Sequence, residues 1–246
     1  MSGFTRREAL GLMAAGGATT LLKGSGELAR SVVAQAMPST GAVPAPHAVM
    51  PLPFTPSKLK GISEKLITSH HQNNYTGAVK NLNAVRAQIA GLPKDAAGFL
   101  VGGLRAKELT YANSATLHEA YFANLGGDGK ADGPAAKALG ASFGSAAAWE
   151  EAFRALGGSL GGGSGWAILD YALTDGSLRI AWAGDHTQML ATSYPLLVMD
   201  MYEHAYQMDY GAAAGKYIEA FFQNIQWDEV NRRLERARKA YAALSA

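Results

Sequence analysis

Residues 166–183, WAILDYALTDGSLRIAWA, decide the fold. Two β-prone runs, Trp166–Leu173 and Leu178–Ala183, flank Thr174-Asp175-Gly176-Ser177, and an Asp-Gly turn between such runs predicts an antiparallel hairpin. A little further on, Pro195-Leu-Leu-Val-Met199 reads as a third, buried strand. Outward from this sheet the pattern is helical. Upstream, Pro134 to Leu156 reads as helix and ends in the glycine run 157–165, which lacks the GxxxxGK[ST] phosphate-binding spacing and is read as a loop. Downstream, helix is expected from Glu203 to the end.

Further upstream, Ile62, Leu66, Tyr75, Val79, Leu82, Val85 and Ile89 recur mostly at three, four or seven residues. They form the apolar stripe of a long helix, Leu59–Leu92, with Ser63 as a candidate N-cap. A second helix is expected from Ala97 to Asn124, stopped by Gly126-Gly127. The expected class is α+β. A long antiparallel α-hairpin over residues 57–127 precedes a metal-binding α/β domain, 128–246, in which helices surround a small three-stranded antiparallel sheet. The polar, glycine-containing stretch Asp128–Gly133 marks the boundary.

Nearly half of the 246 residues are hydrophobic, so a sizeable core can form. A formal charge of +2 gives no support to nucleic-acid binding. There is no cysteine, which excludes disulfides, thiolate metal sites and cysteine nucleophiles. A metal would have to be held by imidazole, carboxylate, carbonyl or water.

The N-terminus reads as an address. Arg6-Arg7 precedes a mildly apolar run, Ala9–Leu22, too short and too weakly apolar to span a membrane. This resembles a twin-arginine export signal, and the small-residue triplet Ala34-Gln35-Ala36 offers a cleavage site. Residues 1–36 are therefore expected to be removed, the route being export to the periplasm. Residues 37–56 are rich in proline and read as an extended linker or arm. His47 lies in this arm, and no role is assigned to it.

The chain has six histidines, His47, His70, His71, His118, His186 and His204, and the reading of its chemistry turns on them. In Asp200-Met-Tyr-Glu-His204 the aspartate ends a buried apolar strand, where a carboxylate is costly unless paired or bound to a metal. The pair reads equally as a hydrogen-bonded core couple or as two ligands of one ion. His70 and His118 fall on the two long helices, which face each other if antiparallel. Together the four would make a site of three imidazoles and one carboxylate.

Several segments, in order, resemble the iron/manganese superoxide dismutase family from about Pro51 to Leu244. Asp200-Met-Tyr-Glu-His-Ala-Tyr206 is similar to the signature D-x-W-E-H-A-Y. Tyr217–Phe222 and Asn224–Glu229 resemble its Y-I-x-x-F-W and N-x-x-W-D-E runs. Gly163-Ser-Gly-Trp166 matches G-S-G-W, His118–Phe122 resembles H-x-x-F-W, and His70-His71 with Val79–Asn83 resembles the first-helix pattern. The resemblance implies disproportionation of superoxide at one manganese or iron ion per subunit, held by His70, His118, Asp200 and His204. It also implies a homodimer or tetramer, with Glu203 reaching a metal-bound histidine of a neighbouring subunit and Tyr206 at that interface.

The chain departs from the family at the groups that touch the metal-bound solvent. Where the family uses glutamine, one position holds the short Ser114 and the other falls on His186, with Gln188 as the competing candidate. His186 is expected to contact the bound solvent. The family's funnel histidine and tyrosine align with Asn74 and Ala78, and Tyr75 is the nearest substitute. Tyr202 replaces a tryptophan, while Trp166, Tyr121 and Phe122 retain an aromatic wall. Two other readings stand beside the enzyme: a non-catalytic exported metal-binding relative and, less favoured for want of an HExxH-like run, a zinc hydrolase.

Overall fold

The computed structural model describes residues 45–246. The expected export signal and the first part of the arm lie outside the described residues. From residue 45 the chain runs without helix or strand, bending at 53–54, to a 3₁₀ turn at Pro56–Lys58. Ser63 then caps α1 (Glu64–Ser69), its side chain accepting from the Leu66 amide as expected. The first long helix is not continuous. His70–Tyr75 forms a π-helical turn before α2 (Thr76–Ala90). Side chains that compete for backbone carbonyls account for the break: Asn73 Nδ2 donates to Ser69 O at 3.0 Å, and Thr76 Oγ1 to His71 O at 3.0 Å. Such π turns recur at functional sites.

Helix α3 spans Gly98–Ala123. His70 meets Tyr121 and Phe122 at the end of α3, whereas Arg86 pairs with Glu108 nearer its start, so the two long helices run in opposite directions. Gly126, at φ +90°, turns the chain out of α3, a conformation that glycine adopts without strain. The single helix expected over 134–156 is two: α4 (Gly133–Phe143) and α5 (Ala146–Ser159). Gly144 at φ +83° stops the first, and the Ser145 side chain caps the second by accepting from the Ala148 amide.

The sheet has the order β2-β1-β3, all antiparallel. β1 (Trp166–Ala172) is central and buried throughout, β2 (Leu178–Ala183) is half-exposed, and β3 (Ser193–Asp200) is buried towards its end. The register sets Trp166 opposite Asp200, which brings an indole and a carboxylate to the same end of the sheet. A 3₁₀ turn (Glu203–Ala205) and the helices α6 (Gln207–Tyr210), α7 (Ala214–Phe222) and α8 (Trp227–Leu244) follow. This mixture of helices with a three-stranded antiparallel sheet is the class expected.

One core holds the helices to the sheet, with Trp149, Phe153, Trp166, Tyr121, Tyr217 and Phe221 almost wholly buried. Asn124 at the end of α3 acts as a strap within it. Its Nδ2 donates to Leu196 O, its Oδ1 accepts from Val198 N, and its own carbonyl accepts from Gln226 N. A side-chain amide thereby satisfies β3 backbone groups that would otherwise be buried without partners. Among the described residues no helix is long and apolar enough to cross a membrane.

Candidate metal centre

Four side chains from three parts of the chain converge. His70 opens the π turn, His118 lies in the last turns of α3, Asp200 ends β3, and His204 sits in the 3₁₀ turn that follows. Ligand atoms of all four lie within 4.8 Å of one another. Asp200 Oδ2 is the hub, 3.1 Å from His70 Nε2, 3.3 Å from His204 Nε2 and 3.6 Å from His118 Nε2.

Local contacts aim each donor inward. His118 Nδ1 is 2.7 Å from the Ser114 carbonyl, which can only accept, so Nδ1 carries the proton and Nε2 offers a lone pair. Asp200 Oδ1 accepts from the Tyr202 amide at 2.9 Å, which leaves Oδ2 for the centre. A cation fits this donor set. His70 Nε2 and His118 Nε2 are buried without a hydrogen-bond partner, an expensive condition unless something else binds them. Ligand atoms about 2 Å from an ion lie about 3–4 Å apart, near the separations seen here. Three imidazoles and a carboxylate without thiolate suit manganese, iron, zinc or copper, so the donor set admits manganese and iron without selecting them.

Burial holds the His70 imidazole below its ordinary range despite the pull of Asp200, and it lowers His118 to about 3, with His70 adding to the effect. Both are therefore neutral and ready to ligate at neutral pH. Burial opposes the charge on Asp200, but His204 and His70 outweigh it and keep its carboxyl well below the usual range. His204 moves the other way: Asp200 overcomes the cost of burial and raises it. Its side chain retains 27% exposure while Asp200 has none, so the centre opens to solvent on the His204 side.

Aromatic side chains wall the site. Trp166 stands edge-on to His118 at 5.1 Å, Phe122 lies 5.1 Å from His70, and Tyr202 stacks on both His186 (4.8 Å) and His204 (5.2 Å). His186 accepts at Nδ1 from Trp166 Nε1–H at 3.0 Å. An indole only donates, so the neutral imidazole carries its proton on Nε2. The competing Gln188 instead accepts the Gly184 amide in the exposed turn. Asn74 is half-buried, Ala78 is buried, and Glu203 is exposed beside the centre.

One expectation needs correction. Tyr206 is 1% exposed within this single chain, stacked on Tyr217 at 5.5 Å and accepting the Gly162 amide at its hydroxyl, so it is a core residue with no surface to offer a partner. The Tyr75 hydroxyl accepts from Met50 N and donates to Glu119 Oε1, each at 2.8 Å. His47, expected to be only solvated, meets the same Glu119 oxygen at 2.6 Å. No sequence signal marked Glu119 or Asn124; both act through contacts more than forty positions distant in the chain, and only the fold reveals them.

The family model for iron/manganese superoxide dismutases, C-terminal domain, matches residues 131–233. Over 192 residues, 78% of this chain and 98% of the relative, it is 48% identical to "Superoxide dismutase [Fe]" of Cupriavidus metallidurans. It is 34% identical to "Superoxide dismutase [Mn] 2" of Haloferax volcanii over 76% of this chain and 94% of that protein. Likewise it is 34% identical to "Superoxide dismutase [Fe]" of Aquifex pyrophilus over 77% and 92%. With a centre of three histidines and one aspartate and similarity spanning nearly the whole length of these relatives, the chain belongs to the iron/manganese superoxide dismutase family.

Proposed function

We propose that the chain is a superoxide dismutase that takes one iron or manganese ion per subunit, with His70, His118, Asp200 and His204 as its protein ligands. The observation that carries this reading is the convergence of four donors within 4.8 Å, two of them buried nitrogens without a hydrogen-bond partner. When bound, the ion would supply one-electron redox chemistry, so that two superoxides and two protons give one O₂ and one H₂O₂.

The chain's residues do the rest. The Ser114 carbonyl and the Tyr202 amide fix the orientation of His118 and Asp200. Trp166 holds His186 with Nε2–H as the free donor, suited to bind a small anion or solvent beside the centre. Trp166, Phe122 and Tyr202 exclude bulk water, which strengthens every charge interaction within. The protons for H₂O₂ come from solvent through the side exposed at His204.

Inhibition of cytochrome c reduction by metal-loaded protein, in a superoxide-generating assay, tests the reading. Activity no better than the free ion rejects catalysis and leaves a metal-binding relative. Export is proposed on the Arg6-Arg7 run and the Ala34-Gln35-Ala36 site. It fails if fractionation of spheroplasts leaves all activity in the cytosol. A homodimer is proposed on the exposed Glu203 carboxylate next to His204, and Glu203→Lys should shift the sedimentation coefficient towards a monomer.

A further inference from the structure

Ahead of the first helix, the arm is fastened to the helices that carry two of the proposed ligands. His47 is held three ways: its amide donates to Asn83 Oδ1 at 2.8 Å, its carbonyl accepts from Asn83 Nδ2 at 2.9 Å, and its Nε2–H donates to Glu119 Oε1 at 2.6 Å. Three residues on, the Met50 amide donates to the Tyr75 hydroxyl and the Met50 carbonyl accepts from His71 Nε2, each at 2.8 Å. Tyr75 closes the circuit by donating to the same Glu119 oxygen. Five hydrogen bonds thus join residues 47–50 to α2, the π turn and α3, and the Tyr75–Glu119 bond links the last two to each other.

The anchor points are placed where they matter. His71 follows His70 and Glu119 follows His118, so the arm bonds one residue beyond two ligands, on two different elements. Tyr75 packs 5.9 Å from Phe122, which itself lies 5.1 Å from His70 and stacks on His118 at 6.1 Å. Met50, Pro51 and Pro53 cover a cavity of about 240 Å³ whose other walls include Tyr75, Glu119 and Phe122. Without the arm, the outer side of that aromatic wall would face water.

From this circuit, and resting on the ligand set proposed above, we infer that the arm segment His47–Met50 is a strap that fixes the spacing of the π turn and α3, and that His47 and Asn83 are positioning residues for the metal centre. Its effect is on retention: the strap slows the parting of His70 from His118 through which an ion escapes. Cleavage after Ala36 leaves the strap whole, whereas loss of the chain through Met50 removes it.

The test uses metal-loaded protein and reads the rate of metal loss to excess chelator, with the ferric or manganic visible spectrum recorded beforehand. His47→Ala and Asn83→Ala act from either side of the strap without altering a residue adjacent to a ligand. Each should speed metal loss about tenfold, in line with losses of outer hydrogen-bond partners at metal sites. The double variant should be little faster than either single one, because both release the same segment. His47→Gln, which keeps a donor for Glu119, should restore most of the retention. Leu139→Ala, in the buried face of α4, controls for general destabilisation and should leave metal loss near the wild-type rate. Stoichiometric metal in the wild type with unchanged loss in both strap variants overturns the strap. Equal acceleration by Leu139→Ala overturns it too. A wild type that holds no metal overturns the ligand set itself, and the strap with it.

Discussion

Asp170 is a buried carboxylate that the metal centre does not use. It lies in the central strand, 0% exposed, at a β-bulge between Leu169 and Asp170, and neither oxygen has a well-formed hydrogen bond. Its cross-strand neighbour Arg179 gives its guanidinium to Asp175 instead. Burial raises the Asp170 carboxyl to about 7, with only Ser193 pulling the other way. Set against the ordinary aspartate value of about 3.9, about 4 kcal/mol of stability is at stake. The sign follows from linkage. Between the unfolded and folded values the native state holds a proton that the unfolded chain has released, so stability is greatest below about pH 4. It falls as pH rises and levels off above about pH 7.

Asp170→Asn keeps the shape and removes the ionisation. The amide brings a roughly pH-independent cost of its own, about 1–3 kcal/mol for unsatisfied polar atoms. The diagnostic is therefore the change with pH, not the offset. Urea unfolding of metal-free wild type and variant at pH 5 and pH 8 should show the variant gaining about 2–3 kcal/mol on wild type across that interval. Metal-free protein keeps ion binding out of the difference. Parallel curves with a constant offset would refute the reasoning, since they would mean that Asp170 ionises normally in the folded chain.

Three other substitutions probe the centre and its frame. Asp200→Ala removes the hub oxygen and should abolish stoichiometric metal by elemental analysis while the far-ultraviolet circular dichroism stays native. His186→Gln should keep full metal but shift the midpoint potential in a redox titration, because it replaces the imidazole that Trp166 orients. Gly165→Ala should cost about 2 kcal/mol or more in denaturant unfolding. Gly165 sits just before β1 at φ +138°, and a Cβ there would lie 2.4 Å from the Ala183 carbonyl at the end of β2.

What the sequence disclosed follows the range of the forces involved. The Asp-Gly turn, the apolar stripe from Ile62 to Val85 and the Ser63 cap act over a few residues, and the fold repeats them. The breaks within two expected helices were harder to read. At 70–75 the only sign is a nine-residue gap in the apolar stripe between Leu66 and Tyr75, and the deciding bonds are made by Asn73 and Thr76, polar residues that also occur in intact helices. The centre was legible only because recurrent motifs stood in for distance. Periodicity put His70 and His118 on helices but said nothing of Asn124, whose bonds to Leu196 and Val198 dock α3 against the strand that carries Asp200. The same limit hid His47. An arm without periodic pattern gives no hint of its contacts, yet its partners Asn83 and Glu119 lie 36 and 72 positions away. A site assembled from three distant segments is held in register by such long-range polar straps. Substitutions at Asn124 or Asn83 are therefore expected to loosen the centre more than their neutral side chains suggest.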